Sequence, residues 1–162
     1  MITSLIPLTL IATLAVAQAN EAPVASDPTE SVRRDTLRLQ LTLRHGGPTC
    51  DEIDGQSPDP VGDLVWLMDN VHQPPWVGMR AADCLMNNHL TTETERVHTW
   101  VLDPETKGLA LLVLGRLDAL PAPLAQSLAK AMLAGPHRSL IAPRLSESAH
   151  IELRAMVVSP TP

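Results

Sequence analysis

The chain has 162 residues, 12 Lys and Arg against 18 Asp and Glu, and a net charge of −6. That acidic balance excludes the basic patches by which proteins meet nucleic-acid phosphate, and it disfavours anionic membrane surfaces. Phe and Tyr are absent and three Trp are the only aromatics, so the core has to come from Leu, Val, Ala and Met. That is a composition for packed helices rather than for β-sandwiches or barrels, which favour aromatic and β-branched residues.

The first 19 residues, MITSLIPLTLIATLAVAQA, carry no charged side chain, and Ala17-Gln18-Ala19 has the small-x-small pattern of a signal-peptidase site. The apolar run is shorter than the about 20 residues a membrane-spanning helix needs. Residues 1–19 therefore read as a signal peptide that lacks the usual basic flank, and the mature protein is expected in the periplasm or outside the cell. Without the signal, 143 of the 162 residues remain, the size of one ordinary domain. No insertion into a membrane is expected after cleavage.

Residues 20–31 are polar with nothing to bury and read as a disordered linker. In the next segment, Leu37, Leu39, Leu41 and Leu43 alternate as in a strand. Ser31 as a cap, the stop at Gly46-Gly47 and the lack of a partner strand favour a helix from about Val32 to Arg44. Arg33-Arg34 reads as part of a solvated face. After a loop with a capping box at Thr49 and Glu52, Asp59-Pro60 opens a helix with the stripe Val61, Leu64, Val65, Met68 and Val71.

Gln73-Pro74-Pro75 stops that helix, and another starts at Trp76 with Val77, Ala81, Cys84 and Leu85 on one face and Asn87-Asn88 at its end. Thr92 and Glu95 form a second capping box ahead of Val97, Trp100 and Val101, and Trp100 reads as core. Asp103-Pro104 opens ETKGLALLVLGRL, which is apolar almost all round and is predicted to lie at the centre, with Leu112 and Val113 deeply buried. PLAQSLAKAML follows, with Leu124, Leu128 and Ala131 on one face, Gly135 as C-cap and Pro136 as terminator. RSLIAPRLS, limited or kinked by Pro143, and HIELRAMV complete a domain over residues 32–158. The tail, 159–162, is expected to fray.

Two of these helices superimpose. PPWVGMRAADCL lies over DPETKGLALLVL, placing Pro75 on Pro104, Ala81 on Ala110, Cys84 on Val113 and Leu85 on Leu114. The helices ahead of them start near Val61 and Glu93, and a third such helix starts near Ala122. Helix pairs recurring about every 30 residues indicate a helical solenoid, in which neighbours must stack because one pair cannot bury its own apolar face. The alternative is an orthogonal bundle of six or seven helices.

At these residues the chain resembles the HEAT-repeat family, whose second helices often read DPxVRxAAxxAL. DPETKGLALLVL keeps Asp103-Pro104, Lys107 and Ala110. PWVGMRAADCL keeps Val77, Ala81 and Ala82 but has Gly78 where a basic residue is usual. HIELRAMV keeps Leu153 and Arg154 without the Pro. The resemblance spans roughly residues 60–158, with the register of the last repeat open between GPHRSLIAPRL and HIELRAMV. It implies an all-α fold: a short right-handed stack of antiparallel helix pairs with six to eight helices. It also implies a protein partner bound along the second helices, making Arg80, Lys107 and Arg116 candidate contacts. Trp76, at a helix start after Pro-Pro, joins them because Trp is enriched in binding hot spots.

No phosphate loop, nucleophile elbow, zinc-protease motif or C-x-x-C is present, so no catalytic residue and no cofactor are assigned. The expected function is a non-enzymatic scaffold or interaction module, with a purely structural envelope role indistinguishable from it by sequence. The two cysteines are expected to form a disulfide, Cys50–Cys84, as an even count in an exported protein suggests. Unpaired thiols are one alternative. The other is a zinc site or small metal-dependent enzyme using His45, Cys50, Cys84 and His89, although those spacings are not those of zinc motifs.

Overall fold

A computed structural model of the protein describes residues 28–158. The proposed signal peptide, the linker up to residue 27 and the tail 159–162 lie outside the described residues. Every regular element among the described residues is helical: α1 (Pro28–Thr42), α2 (Cys50–Asp54), α3 (Pro60–Asn70), α4 (Trp76–Asn88), α5 (Thr94–Leu102), α6 (Lys107–Arg116), α7 (Ala122–Ala134), α8 (Arg138–Leu145) and α9 (Ile151–Val158). Short 3-10 turns, Pro104–Thr106 and Leu117–Ala119, flank α6.

The first helix resolves the strand-like alternation of its leucines. Leu37 and Leu41, four apart, are buried in the core, whereas Leu39 and Leu43 are 59% and 49% exposed. An apolar residue at every second position thus divides between two faces of one helix, since positions i and i+4 share a face. The helix begins at Pro28, inside the segment expected to be linker. Proline suits a first helical turn, and Glu30 there pairs with Arg34 one turn on, Oε1 to Nη2, at 2.5 Å.

Arg33 and Arg34, expected on a solvated face, instead reach a buried carboxylate. Asp63 in α3 is 1% exposed. It accepts from Arg33 Nε at 2.5 Å, Arg34 Nε at 2.9 Å and Ser57 Oγ at 2.6 Å. Burial pushes the Asp63 carboxyl up, but the bonds from Arg33, Ser57 and Arg34 together outweigh it and hold the group below the usual carboxylate range. One side chain thereby ties α1 and the loop before α3 to the body of the protein.

Side-chain caps form at three of the starts where the sequence places them. The Thr49–Glu52 box is complete, Asp59 accepts from Gly62 N at 3.0 Å, and Asp103 accepts from Glu105 N at 2.9 Å. The Thr92–Glu95 box does not form. Thr92 gives its hydroxyl and its backbone N–H to the His89 carbonyl, at 2.9 and 3.1 Å. This makes a tight turn off the end of α4, and α5 begins at Thr94 behind Glu93.

Consecutive helices pack as α3 on α4, α5 on α6 and α7 on α8, and α1 covers α3 and α4. Across these pairs α4 meets α6 and α6 meets α8, while α5 meets α7 and α7 meets α9. The centre is not α6. Only Ala110 and Val113 of α6 are buried. Leu112 is half-buried and Leu111 is 41% exposed, because one side of the helix faces no neighbour. The deepest positions belong to α4, with Val77, Ala81, Ala82 and Leu85, and to α7, with Ala125, Leu128, Ala129 and Met132. Trp100 is buried, as its stripe predicts. Pro143 does not stop α8, which continues to a buried Leu145.

Polar contacts between helices share one scale. Arg33 reaches Asp63 across 30 positions, Arg116 reaches Asp83 across 33, and Ser127 reaches His98 across 29. His137 reaches the Asp103 carbonyl across 34 and Ser148 reaches Asp118 across 30. Among the described residues, side-chain hydrogen bonds spanning more than the 16 positions of Gln40–Gln56 span 29 to 39. Each of these bonds therefore joins a segment to the one that follows it about one period later.

Candidate functional site

The N-terminal part of the candidate surface is built on the disulfide. Cys50 opens α2, and Cys84 lies on the buried face of α4 in the third turn. Their sulfurs are bonded at 2.07 Å, with α-carbons 5.1 Å apart. Around the bridge, Asn88 Nδ2 donates to Asp51 Oδ1 at 3.0 Å and to Asp54 Oδ2 at 2.8 Å. His89 Nε2 lies 2.9 Å from the same Asp54 oxygen. A five-residue helix cannot hold itself in water, so α2 keeps its shape by being fastened to the end of α4. The bridge also disposes of the Cys/His zinc arrangement. Both sulfurs are consumed, His89 faces Asp54, and His45 sits exposed in the loop after α1.

Arg80, a candidate partner contact, has its donors turned inward. Its Nη1 donates to the carbonyls of Leu41 and Leu43 and its Nη2 to that of Pro48. The Leu41 and Leu43 carbonyls lie at and just beyond the end of α1, where no intrahelical partner exists and a cation is favoured, and that of Pro48 lies just before α2. Gly47 leaves room for the arrangement, since a Cβ there would come within 2.9 Å of Nη2. Trp76 is similarly engaged: the half-buried indole donates from Nε1 to Thr42 O at 3.2 Å, and Arg44 lies over the ring at 4.2 Å. Both residues close the end of α1 while their remaining surface borders a cleft.

That cleft runs between α4 and α6. It has a volume of about 420 Å³ and is lined by Trp76, Met79, Arg80, Asp83, Leu111, Leu112, Gly115 and Arg116. Arg116 crosses it, donating from Nε to Asp83 Oδ1 at 2.9 Å and from Nη2 to Oδ2 at 2.6 Å. This two-pronged geometry orients both side chains. A second cleft, about 340 Å³, lies between α6 and α8 and includes Leu111, Leu114, Gly115, Asp118, Arg144 and Glu147. Asp118, which lines it, accepts from Ser148 Oγ and from Ala149 N, and these bonds, Ser148's foremost, hold its carboxyl below the ordinary range.

The two clefts adjoin over α6, where Leu111 and Gly115 belong to both. A Cβ on Gly115 would meet nothing within 4 Å. Glycine inside a helix is less stable than alanine by roughly 0.5–1 kcal/mol, and no internal packing here demands it. What the glycine does is lower the ridge between the clefts, giving a shallow apolar trough with Arg116–Asp83 on one bank and Arg144 and Glu147 on the other. Lys107 is exposed at the first position of α6. The structure thus brings Trp76, Arg80 and Arg116 to one cleft, and Lys107 does not line it. Sequence reasoning missed Leu111, which looks like its buried neighbours, and Gly115, one of two glycines in α6.

Among the described residues, no group of three or more His, Cys, Asp or Glu side chains is placed to hold a metal ion. No helix there is long and apolar enough to cross a membrane. An intramolecular disulfide fits a location outside the reducing cytoplasm. Compared with known proteins, the chain matches no family model, and no curated protein or solved structure matches it either.

Proposed function

We propose that this chain is an exported, non-enzymatic module of HEAT-like helix pairs, stacked as a short solenoid, that binds a protein partner along the α4–α6–α8 face. The observation that carries the reading is the trough over α6, where Leu111 stands exposed and Gly115 leaves open space between two adjoining clefts. The stack is supported by the two rows of neighbours, α4–α6–α8 and α5–α7–α9, and by side-chain bonds that reach one period along the chain. In such stacks each unit touches only its neighbours, and the extended face of the second helices is where partners sit. Export to the periplasm or beyond is supported by the leader-like residues 1–19 and by the disulfide.

The trough offers apolar surface with fixed charges at its rim, the usual anatomy of a protein–protein contact. Arg116 and Asp83 already satisfy each other and therefore set register more than affinity. The test is capture from an envelope fraction by the wild-type chain and by Leu111→Glu and Gly115→Arg variants. The expected result is one recovered protein that both variants lose while their melting temperatures stay within a few degrees of wild type. A partner retained by both variants would place the contact elsewhere. Turnover of a substrate by the purified chain would replace a binding role with an enzymatic one.

A further inference from the structure

Arg33, Arg34, Arg38, Arg96 and Arg116 each pair with an Asp or Glu. Among the described residues Arg44 and Arg80 have no such partner, although the chain carries a net charge of −6. Arg80 spends its bonds on carbonyls. A guanidinium has five N–H donors. Two bonds from Nη1, to Leu41 and Leu43, and one from Nη2, to Pro48, leave the Nε–H and one Nη2–H without an acceptor. Nε is not among the buried atoms that lack a partner, so it is open to solvent. Nε and Nη2 are the nitrogens by which Arg116 grips Asp83, at 2.9 and 2.6 Å. On Arg80 the same two nitrogens each keep a free N–H.

Both unanswered cations meet at Trp76. Arg44 is exposed and lies over the indole ring at 4.2 Å, and Trp76 and Arg80 line the α4–α6 cleft together. Among the described residues Asp83 is the one carboxylate lining that cleft, and Arg116 takes both of its oxygens. The end of α1 contributes about half a negative charge, less than either guanidinium carries. The corner is therefore positive in a chain of net negative charge, and it adjoins the apolar side chains of Met79, Leu111 and Leu112. The second cleft differs, since Arg144 shares its lining with Asp118 and Glu147.

We infer that the Arg44–Trp76–Arg80 corner receives an acidic side chain, an Asp or Glu carried by the bound segment of the protein partner. The inference rests on the trough as the partner surface and adds the chemistry of what enters it. Arginine takes a carboxylate in two parallel bonds, and Arg80 keeps two donors for them. Arg44, held over the ring, supplies a second positive charge. Apolar residues beside the acidic one then lie against Met79 and Leu111. A peptide meets both demands of the cleft, whereas an anionic polysaccharide or a nucleic-acid backbone would answer the charge and leave the apolar side chains uncovered.

NMR titration of the purified chain with two blocked peptides tests this: acetyl-Leu-Glu-Leu-Leu-amide, and the same peptide with Gln in place of Glu. The side-chain N–H signals of Trp76 and Arg80 report the corner, and the methyl signals of Leu111 report the trough. The expected result is a saturable shift of both sets by the Glu peptide, with a dissociation constant on the order of 1 mM, and binding of the Gln peptide at least about tenfold weaker. Arg44→Ala, which removes no side-chain hydrogen bond among the described residues, should weaken the Glu peptide at least about threefold. Arg80→Lys, which keeps the charge and loses the paired donors, should do the same. Lys107→Ala should change nothing, because Lys107 does not line the cleft. Equal affinity for the two peptides, with Leu111 shifting in both, would overturn the carboxylate site and leave the trough standing. Corner shifts from the Glu peptide with Leu111 unmoved would keep the carboxylate site and count against the trough. No saturable shift at Trp76 and Arg80, or inorganic phosphate shifting them as strongly as the Glu peptide, would overturn the inference.

Discussion

Replacing Cys50 and Cys84 by serine removes the one covalent link in the fold, and the size of the effect follows from chain statistics. The bridge closes a loop of 34 positions. The loop-closure entropy it withdraws from the unfolded chain corresponds to about 3–4 kcal/mol. The folded state loses less. Asn88 and His89 still hold Asp51 and Asp54, and α2 retains its capping box. For a domain of this size, each kcal/mol moves the melting temperature by about 4 °C, so the double variant should melt about 10–15 °C lower. Urea denaturation of the oxidised wild type, the reduced wild type and the variant checks this. The two thiol-free or reduced forms should agree with each other, and the slope of the transition should rise slightly as the unfolded chain expands. Intact mass before and after reduction confirms the bond independently, by a gain of two hydrogens on reduction. A loss below about 1 kcal/mol would refute the reasoning, because it would mean that the linked loop is already constrained in the unfolded chain.

Four further substitutions separate buried from exposed features. Val113→Asp places a charge among fully buried side chains and should abolish the helical circular-dichroism signal of purified protein, since breaking such packing with an unpaired charge costs several kcal/mol; Leu111→Asp, one turn-face away and 41% exposed, should fold and melt near wild type. Asp63→Asn should lower neutral-pH stability by about 1.5–3 kcal/mol, the worth of hydrogen bonds to a charged group. Because the Asp63 carboxyl is held below its ordinary value, its contribution is complete above the unfolded pKa of about 4 and disappears as pH falls through the lower folded value. The wild type should therefore lose stability below about pH 4, and the Asn variant should show a flatter acid limb in urea titrations run from pH 2 to 7. Arg80→Ala should cost about 1–3 kcal/mol by orphaning the carbonyls at the end of α1, with hydrogen exchange rising first in residues 41–48; equal exchange in variant and wild type would mean that solvent replaces the guanidinium without loss.

Much of the fold was written locally. Pro60 behind Asp59 and the Thr49–Glu52 pair fixed helix starts where the structure has them, while Pro104 behind Asp103 opens the 3-10 turn that leads into α6 at Lys107, because caps depend on a few adjacent residues. What failed depended on distance. The hydrophobicity of α6 suggested a central helix, but burial is set by which neighbours arrive, and α6 is covered by α4, α5 and α8 on part of its surface only. Leu111 looks like Val113 in sequence and differs from it only in what lies across from it. The capping residue Thr92 was claimed by a carbonyl from the preceding helix. Arg33, Arg34 and Arg80 read as surface cations because their acceptors, Asp63 and the carbonyls ending α1, lie 29 to 39 positions away.

The disulfide was the part of the candidate site most accessible from sequence, since the chain has two cysteines and one stood on a core face. The trough was the least accessible. It is a property of three helices side by side, and the one local sign of it was Gly115, which nothing inside the protein requires.

The central claim is that the α4–α6–α8 face receives a protein partner, and site-specific photocrosslinking in the intact envelope addresses it most directly. A photoreactive residue at Leu111, in the trough, is compared with one at Leu102, which is 49% exposed on α5 in the other row. The account predicts one discrete crosslinked species from position 111 that is absent from position 102. No crosslink from 111, or the same species from both positions, would contradict it.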